Sequence, residues 1–222
     1  MNSILKNVMK YSKNKVYHNG SYYTKIRLPF KKNEKYLMLW EPNHMTNIHG
    51  HNGKNCVFMK VRGDFLIREI KEEDNLEIQR ILSSVMREFD VPETGTALAD
   101  PELENMYQSY NVLKSSYYVI LHNNFLLGGA GISKLKNSND NICELQKMYF
   151  LEEARGKGLG NIMIDLCLKS ALDYGFEKCY IETMHNMKKA QSLYLKKGFS
   201  YLQKPIGNTG HCSCPVWMIK NL

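Results

Sequence analysis

The stretch that decides the fold is Gln146-Lys147-Met148-Tyr149-Phe150-Leu151-Glu152-Glu153-Ala154-Arg155-Gly156-Lys157-Gly158-Leu159-Gly160. It begins within an apolar, strand-like run over residues 142–150 and ends in a turn rich in glycine. Beyond the turn, apolar side chains recur with the three- and four-residue spacing of a helix that has one apolar face. They are Leu159, Ile162, Met163, Leu166 and Cys167. The sequence therefore predicts a strand, a glycine turn and a helix in direct succession.

The glycine turn has the chemistry of a phosphate-binding site. Glycines at 156, 158 and 160 let the backbone approach a ligand closely, because no Cβ stands in the way. The free N–H groups and the dipole of the following helix add partial positive charge, and Arg155 and Lys157 add full charges. The same pattern is also typical of a helix that begins with glycines for tight packing. The spacing fits neither a P-loop nor the dinucleotide-binding fingerprint.

From residue 65 onwards the sequence alternates between strand and helix patterns. The predicted order is strand, two helices, three strands, helix, strand, helix and two strands. Asp74-x-x-Glu77 predicts a capping box at the first helix, and Asp100-Pro101 predicts the start of the second. Gly128-Gly129 inside a predicted strand indicates a close backbone approach or a bulge.

Two motifs in this part of the chain resemble those of the GNAT superfamily of N-acetyltransferases. Arg155-x-x-Gly158-x-Gly160 matches the Arg/Gln-x-x-Gly-x-Gly/Ala signature of that family. Asn186 and the later Leu193-Tyr194-Leu195-Lys196-Lys197-Gly198-Phe199 resemble its late helix. With the order of elements, the resemblance covers residues 65–222. It implies an α+β fold, in which helices flank a mixed, mostly antiparallel central sheet.

The resemblance also implies an activity and its residues. GNAT enzymes move the acetyl group of acetyl-CoA to a primary amine by direct attack in a ternary complex. The backbone of Met148 and Phe150 would contact the pantetheine arm, Asn186 would reach the same arm, and Tyr194 would protonate the departing sulfur. The pyrophosphate would be held by Arg155, Gly156, Lys157, Gly158, Leu159 and Gly160. A module that binds acetyl-CoA without catalysis is the alternative.

The general base and the acceptor side are less well defined by the sequence. Glu144 is a carboxylate inside an apolar run, which is costly to bury without a task or a partner. It is either the base that accepts the amine proton, directly or through water, or a strand-end glutamate paired with a lysine. Gln146 and Tyr149 are further candidates for the acceptor side. His211 is either an acceptor-side residue or a surface-loop histidine.

The acceptor class follows only loosely from charge. We expect a small-molecule or peptide amine. Acidic residues in the predicted acceptor region favour a cationic or polyamine-like acceptor, although exposed acidic residues on helices are common. They are Asp90, Glu93, Asp100, Glu102 and Glu104.

The net charge of +8 is unevenly distributed. Residues 1–63 hold twelve Lys or Arg and two Asp or Glu, a balance of +10, whereas residues 64–222 have a balance of −2. This step near Gly63-Asp64 predicts two domains, 1–63 and 64–222. Because the lysines are spread out rather than clustered, the sequence favours a solvated surface over a nucleic-acid partner. A homodimer is compatible with the sequence.

The N-terminal segment, from about residue 17 to 63, resembles cysteine dioxygenase and predicts a small all-β, partial-cupin segment before the GNAT fold. In that family, the two histidines matching His49 and His51 bind ferrous iron, and the cysteine matching Cys56 forms a thioether. Lys25 stands where the family has a substrate-binding arginine. The carrying segments are Tyr23-Thr24-Lys25, Leu37-Met38-Leu39-Trp40, Ile48-His49-Gly50-His51 and Cys56-Val57-Phe58-Met59-Lys60.

Two interpretations of that segment follow. His49 and His51 are either part of a working Fe(II) site with thiol dioxygenase activity or the remnant of one. The remnant is favoured, because the resemblance stops before the family's third histidine and two imidazoles hold ferrous iron weakly.

Cysteine usage and hydropathy predict a cytoplasmic protein. There is no run of eighteen apolar residues, and residues 1–15 lack the apolar core of a signal peptide. The six cysteines lie mostly in apolar patterns, as reduced, buried side chains do. Cys212-x-Cys214 with His211 suggests a metal, but no second pair completes a tetrahedral zinc site.

Overall fold

The computed structural model describes residues 13–18, 21–28, 35–40, 60–62, 65–138 and 141–222, with side chains from residue 65 onwards. The chain divides into two compact units, Met1–Gly50 and His51–Leu222. In the first unit, three consecutive strands form an antiparallel sheet in the order β1-β2-β3. They are β1 (Lys13–His18), β2 (Ser21–Leu28) and β3 (Lys35–Trp40).

The second unit is built around an eight-stranded sheet. Its order is β10-β11-β9-β8-β7-β6-β5-β4, and every neighbouring pair is antiparallel except β8 and β9. The strands are β4 (Lys60–Arg62), β5 (Phe65–Glu69), β6 (Ser116–His122), β7 (Phe125–Lys134), β8 (Ile142–Phe150), β9 (Lys178–Thr183), β10 (Ser200–Leu202) and β11 (Val216–Asn221).

Helices flank this sheet, so the mixed, mostly antiparallel α+β architecture expected from the sequence is confirmed. They are α1 (Asn75–Glu88), α2 (Met106–Tyr110), α3 (Leu159–Asp173) and α4 (Lys188–Lys196). The second predicted helix begins as a 3-10 turn, Pro101–Asn105, with proline at its first position. Among the described residues, no helix is long and apolar enough to cross a membrane.

The helices α1 and α3 cover opposite faces of the sheet. Tyr117, Val119 and Leu121 of β6 belong to the buried cluster that includes the apolar face of α1. Tyr118, whose side chain points the other way, forms a 2.7 Å hydrogen bond to Ser170 of α3. All five apolar residues predicted for the inner face of α3 are buried, and burial of each Leu, Ile or Met side chain contributes on the order of 1.5–3 kcal/mol. This packing fixes the helix that follows the glycine turn.

The predicted capping box at Asp74 and Glu77 is wrong. The Asp74 carboxylate makes no capping bond to α1. Instead it accepts two hydrogen bonds from the Arg68 guanidinium, at 2.6 and 2.8 Å, and one from the Lys71 N–H at 2.7 Å. The Arg68 guanidinium forms a bidentate pair with both carboxylate oxygens of Asp74. The four-residue capping pattern does not include Arg68 and so does not predict this pair.

The N-terminal predictions are described only in part. His49, His51 and Cys56 lie outside the described residues, and the side chains of Tyr23 and Lys25 are not described. The cupin-like character of this segment and the domain boundary at Gly63-Asp64 therefore stay predictions.

Candidate functional site

The eight-stranded sheet opens between its two parallel strands. β8 pairs with β9 only where residues 142–144 face residues 178–180. Beyond this point β8 continues to Phe150 and β9 to Thr183 without pairing to each other. Backbone N–H and C=O groups on this side of β8 therefore lack strand partners and can pair with a ligand.

A bulge in β8 lies at the same place. The register with β7 shifts between Gly129↔Tyr149 and Gly131↔Gln146, and Lys147 takes a positive φ of 50°. The Tyr117 hydroxyl donates to the Lys147 carbonyl at 2.9 Å. Added Cβ atoms at Gly129 and Gly131 would each lie 2.5 Å from the Tyr117 ring, so these glycines make room for that tyrosine.

The predicted close approach at Gly128-Gly129 is confirmed. A Cβ on Gly128 would lie 2.2 Å from the Tyr149 carbonyl oxygen, and Gly128 itself has a φ of +133°. The glycines of β7 thus allow β8 to bulge and to open towards β9.

The bulge places Lys147, which is buried, in a group of charges here called the charged cluster: Asp100, Lys147, Glu182 and His211. Lys147 Nζ lies 2.5 Å from Asp100 Oδ2. His211 Nε2 lies 3.0 Å from Asp100 Oδ1, and His211 Nδ1 lies 3.2 Å from Glu182 Oε2. The four side chains are between 4% and 14% exposed. Buried charges of this kind are tolerable only when each is paired, as these are.

Pairing also sets the protonation of the cluster. Burial lowers the pKa of His211, but its hydrogen bonds to Asp100 and Glu182 outweigh burial and raise the pKa to about 9. Burial raises the pKa of Asp100, but His211 and Lys147 outweigh it and lower the pKa to about 2. A protonated imidazole therefore lies between two carboxylates near neutral pH.

Glu144 lies beside this cluster, at the point where β8 and β9 separate. Its side chain is buried, with 3% exposed. Gln146 Nε2 donates to its Oε2 at 2.7 Å, and the Tyr110 hydroxyl donates to Gln146 Oε1 at 2.8 Å. Burial raises the pKa of Glu144 to about 7, although the bond from Gln146 lowers it. Among the described side chains no lysine forms an ion pair with Glu144; the nearby Lys147 pairs with Asp100 and acts on Glu144 only through its charge. The role of Glu144 stays a prediction.

Glu144 and members of the charged cluster line two adjoining pockets. The larger pocket, of about 130 Å³, and the smaller pocket, of about 30 Å³, share Glu144, Gln146, Lys147 and His211. The larger pocket is also lined by Asp100, Glu102, Ser109, Tyr110, Ser133, Lys136 and Thr209. Of the acidic residues noted in the sequence, Asp100 and Glu102 line it, whereas Asp90, Glu93 and Glu104 are exposed elsewhere. Tyr149, also expected at this site, lines the smaller pocket.

The glycine loop, residues 155–160, lies at the start of α3. Gly156 and Gly158 have positive φ of 72° and 76°, and Gly158 is the N-cap of the helix. A Cβ added to Gly156 would meet no atom within 4 Å. Lys157 is exposed. The loop therefore presents open space next to the N–H groups of the first helical turn.

Arg155 is engaged elsewhere in this structure. Its guanidinium forms a bidentate ion pair with Glu88, at 2.5 and 2.6 Å, and its Nε donates to the Phe150 carbonyl at 2.7 Å. It also lies 5.0 Å from the centre of the Phe89 ring. These bonds use three of the five N–H donors of the guanidinium, so Glu88 competes with a phosphate for Arg155.

The late-helix residues occupy distinct environments. Tyr194 of α4 is 5% exposed, burial raises its pKa above the usual value, and its hydroxyl has no hydrogen-bond partner among the described residues. It neighbours Tyr149, whose pKa is raised first by burial and then by Tyr194. Asn186 is exposed, and its Nδ2 donates to the Phe89 carbonyl at 2.6 Å.

The sequence indicates neither Lys147 nor Glu182 as a member of the charged cluster, and it indicates Asp100 only as a helix start and as one of the acidic residues. Lys147 and Glu182 are charged residues inside apolar strand patterns, which is a usable signal. His211, for which the sequence leaves two alternatives, lies in the loop between β10 and β11, and its side chain is largely buried and lines both pockets.

Comparison with known proteins gives a consistent result. A family model described as the acetyltransferase (GNAT) family matches residues 79–199. An uncharacterised N-acetyltransferase of Escherichia coli K12, YjgM, is 37% identical over 158 residues, which cover 71% of this chain and 95% of that protein.

Solved structures share the fold. A GNAT-family acetyltransferase of Staphylococcus aureus Mu50 superposes with a TM-score of 0.64 at 20% identity, over 71% of this chain and 99% of that one. An N-acetyltransferase of Thermoplasma acidophilum, PaiA, solved in complex with coenzyme A, gives 0.53 at 15% identity, over 72% and 100%.

Proposed function

The chain belongs to the acetyltransferase (GNAT) family and is an acyltransferase, and we propose that it transfers an acetyl group from acetyl-CoA to a primary amine by direct attack in a ternary complex. The observation that carries the proposal is Glu144. It is a buried carboxylate with a pKa near neutrality, on the wall of a pocket and at the point where β8 leaves β9.

Acetyl-CoA fits the residues present. The unpaired side of β8 would offer the backbone of Met148 and Phe150 to a pantetheine arm, although the Phe150 carbonyl already accepts a bond from Arg155 Nε. The open space at Gly156 leaves room for a pyrophosphate. The glycine loop, from Arg155 through Gly156, Lys157, Gly158 and Leu159 to Gly160, would bind that pyrophosphate, and Asn186 would lie on the pantetheine side. The Thermoplasma protein of the same fold was solved in complex with coenzyme A, which supports coenzyme A binding by this fold. When bound, acetyl-CoA supplies the activated acetyl thioester.

Glu144 would act as the general base. An amine attacks only as the free base, so a proton must be removed at the acceptor nitrogen. A carboxylate with a pKa of about 7 takes up a proton near neutral pH and releases it again, which suits this task. Gln146 holds one carboxylate oxygen and leaves the other, Oε1, for the amine or for an intervening water.

Tyr194 would act as the general acid. Burial keeps its hydroxyl protonated, and no described residue competes for that proton. Proton donation from the phenol to the leaving sulfur lets that sulfur depart as a neutral thiol, and such a transfer contributes on the order of 10²-fold or more to the rate.

The larger pocket supports a small cationic acceptor, either a small-molecule amine or the amine of a peptide. Lys136 pairs with one oxygen of Glu102. The other oxygen, Oε2, is buried and has no hydrogen-bond partner among the described residues. An ammonium or amide group of an acceptor would satisfy this oxygen, since an unpaired buried carboxylate oxygen is costly.

The remaining predictions have no support among the described residues. Fe(II) at His49 and His51, the cupin-like segment, a homodimer and a cytoplasmic location stay predictions.

The first test is calorimetry of the full chain with acetyl-CoA, followed by initial rates with a panel of primary amines. We expect micromolar affinity and intersecting double-reciprocal lines, as a ternary complex requires. Parallel lines would instead show that the acetyl group passes through the protein. A folded chain that binds acetyl-CoA but acetylates no amine would favour the non-catalytic module.

Tyr194→Phe separates chemistry from binding. The variant should lower kcat by about 10²-fold and leave the Kd for acetyl-CoA within about twofold. Tyr201→Phe is the matched control, because Tyr201 of β10 is half exposed and its hydroxyl donates to Gln191 of α4. Equal activity of the two variants would remove the acid role from Tyr194.

A further inference from the structure

Three side chains with metal-binding atoms meet where the loop between β10 and β11 crosses β9. Glu182 lies in β9, and His211 and Cys214 lie in that loop. One ligand atom of each lies within 4.8 Å of the other two. The neighbouring Cys212, part of the Cys-x-Cys pattern in the sequence, is exposed and takes no part. Glu182 thus supplies the third ligand that the sequence pattern lacked.

We propose that Glu182 Oε2, His211 Nδ1 and Cys214 Sγ bind one zinc ion, with the fourth coordination position open to the smaller pocket. All three residues line that pocket. The proposal does not rest on acetyl transfer.

The distances suit a tetrahedral ion. Zinc–nitrogen and zinc–oxygen bonds of about 2.0–2.1 Å and a zinc–sulfur bond of about 2.3 Å place neighbouring ligand atoms roughly 3.3–3.7 Å apart. His211 Nδ1 and Glu182 Oε2 are already 3.2 Å apart. Cys214 Sγ closes the site by a side-chain movement on the order of 1 Å.

The groups around the three ligands are those that zinc sites require. Asp100 Oδ1 lies 3.0 Å from His211 Nε2, which is the carboxylate–histidine arrangement that orients a metal-binding imidazole. The Tyr180 hydroxyl donates to Glu182 Oε1 at 2.7 Å, and the Thr209 hydroxyl donates to Glu182 Oε2 at 2.9 Å. Both the histidine and the carboxylate are therefore held in place before any ion arrives.

The donor set selects the ion. A thiolate with an imidazole and a carboxylate favours zinc and disfavours magnesium and calcium, which prefer oxygen ligands alone. On binding, the ion replaces the protons on His211 Nδ1 and Cys214 Sγ, and both protons go to solvent. One thiolate and one carboxylate then balance the charge of the divalent ion, so the loaded site is neutral.

The test uses the full chain carrying His49→Ala and His51→Ala, which removes the two N-terminal histidines as competing ligands. After chelator treatment, the protein is titrated with zinc against a chromophoric chelator. We expect one zinc per chain. Cys214→Ser should weaken zinc binding by about 100-fold. That is at or above the largest loss in metal affinity seen when a residue that only hydrogen-bonds to a ligand is replaced. Cys212→Ser, two residues away, should change it by less than about twofold.

Cobalt gives a second readout of the same site. Cobalt(II) bound to a cysteine thiolate shows a sulfur-to-metal charge-transfer absorption. That absorption should appear in the Cys212→Ser protein and disappear in the Cys214→Ser protein. If Cys214→Ser does not fold, Glu182→Gln replaces it in the zinc titration, because it keeps the side-chain shape and an acceptor for Tyr180.

Two results would overturn the proposal. One is the absence of stoichiometric zinc in the folded His49→Ala/His51→Ala protein. The other is equal zinc affinity, or an equal cobalt absorption, in the Cys212→Ser and Cys214→Ser proteins.

Discussion

The two halves of the site, the glycine loop and the charged cluster, are built in opposite ways. The glycine loop is six consecutive residues that offer mainly backbone groups, and two of its glycines have positive φ. The charged cluster offers only side chains, which come from four separate segments of the chain. The first is a local structure that a short sequence can specify. The second exists only once the whole sheet has formed.

The ion pairs in the two halves also differ in how much they contribute to stability. The Arg155–Glu88 pair next to the glycine loop is largely solvated, with side-chain exposures of 29% and 51%, and such a pair is worth about 0–1 kcal/mol. In the charged cluster the ions are largely buried, with side-chain exposures of 4–14%, and removing one partner leaves another charge without compensation. Substitutions should therefore be mild at the loop and severe at the cluster.

The largest effect is expected from Glu144→Gln. If Glu144 is the base, kcat should fall by about 10²–10⁴-fold while the Kd for acetyl-CoA stays within about twofold. In chelator-treated protein, kcat/KM should rise with pH up to about 7 and then level, because burial raises the pKa of Glu144 to about 7 and only its deprotonated form accepts a proton. The variant should lose this rise.

Initial rates between pH 5.5 and 9 measure both quantities. Glu177→Gln, a substitution of an exposed glutamate just before β9, is the control and should resemble the unmodified protein. A Glu144→Gln protein with an unchanged pH profile would assign the base to another residue.

The next largest effect is on stability. Asp100→Asn keeps the shape of the side chain but leaves Lys147 buried without its counter-charge. We expect the free energy of unfolding to fall by about 3–5 kcal/mol, measured by urea titration with a chelator present. Asp173→Asn breaks the more exposed pair with Lys169 on α3 and should cost no more than about 0.5 kcal/mol. Similar losses in both would mean that the cluster is not a buried ionic unit.

A smaller effect is expected at the glycine loop. Gly156 and Gly175 have φ of +72° and +79°, and an added Cβ meets no atom within 4 Å at either position. Alanine at each should cost stability by about 1 kcal/mol, because L-residues disfavour this backbone conformation. Only Gly156→Ala should weaken acetyl-CoA binding, by about tenfold in calorimetry, because its methyl group occupies space next to the ligand. Equal Kd values would remove Gly156 from the binding loop.

The smallest effect is expected from Glu88→Gln. Loss of the ion pair frees the Arg155 guanidinium, so acetyl-CoA should bind up to about fivefold more tightly, which corresponds to the ~1 kcal/mol of a solvated pair. Glu93→Gln, which breaks the similar pair with Arg87 on the same helix, should leave the affinity unchanged. Weaker binding in Glu88→Gln would show that Arg155 contributes from its present position.

The glycine loop and its strand and helix were predictable because their signals are local. The spacing of the glycines, the apolar face of α3 and the strand before the loop all lie within about thirty residues, and α3 buries all five predicted side chains. The close approach of β7 to β8 was also predictable, since glycines inside a strand are typical of a bulge or of a neighbouring backbone that comes unusually near.

The charged cluster was not predictable because its contacts are long-range. Asp100 and His211 are 111 positions apart, and no periodicity relates them. The Lys147 side chain points inward because of a bulge and a positive φ. A lysine in the sequence predicts neither of them. The capping box at Asp74 failed for a different reason: Arg68, six positions earlier on the preceding strand, binds both carboxylate oxygens of Asp74.

The separation of β8 from β9 has one further consequence. A row of unpaired backbone groups is normally a hazard, since another chain can add a strand to it and begin to aggregate. Here the row lies inside the sheet, with β9, β11 and β10 on one side and β7 to β4 on the other. A slender ligand can enter such a slot, whereas a folded neighbour cannot. The protein can therefore keep a strand edge permanently available for recognition without becoming a template for fibres.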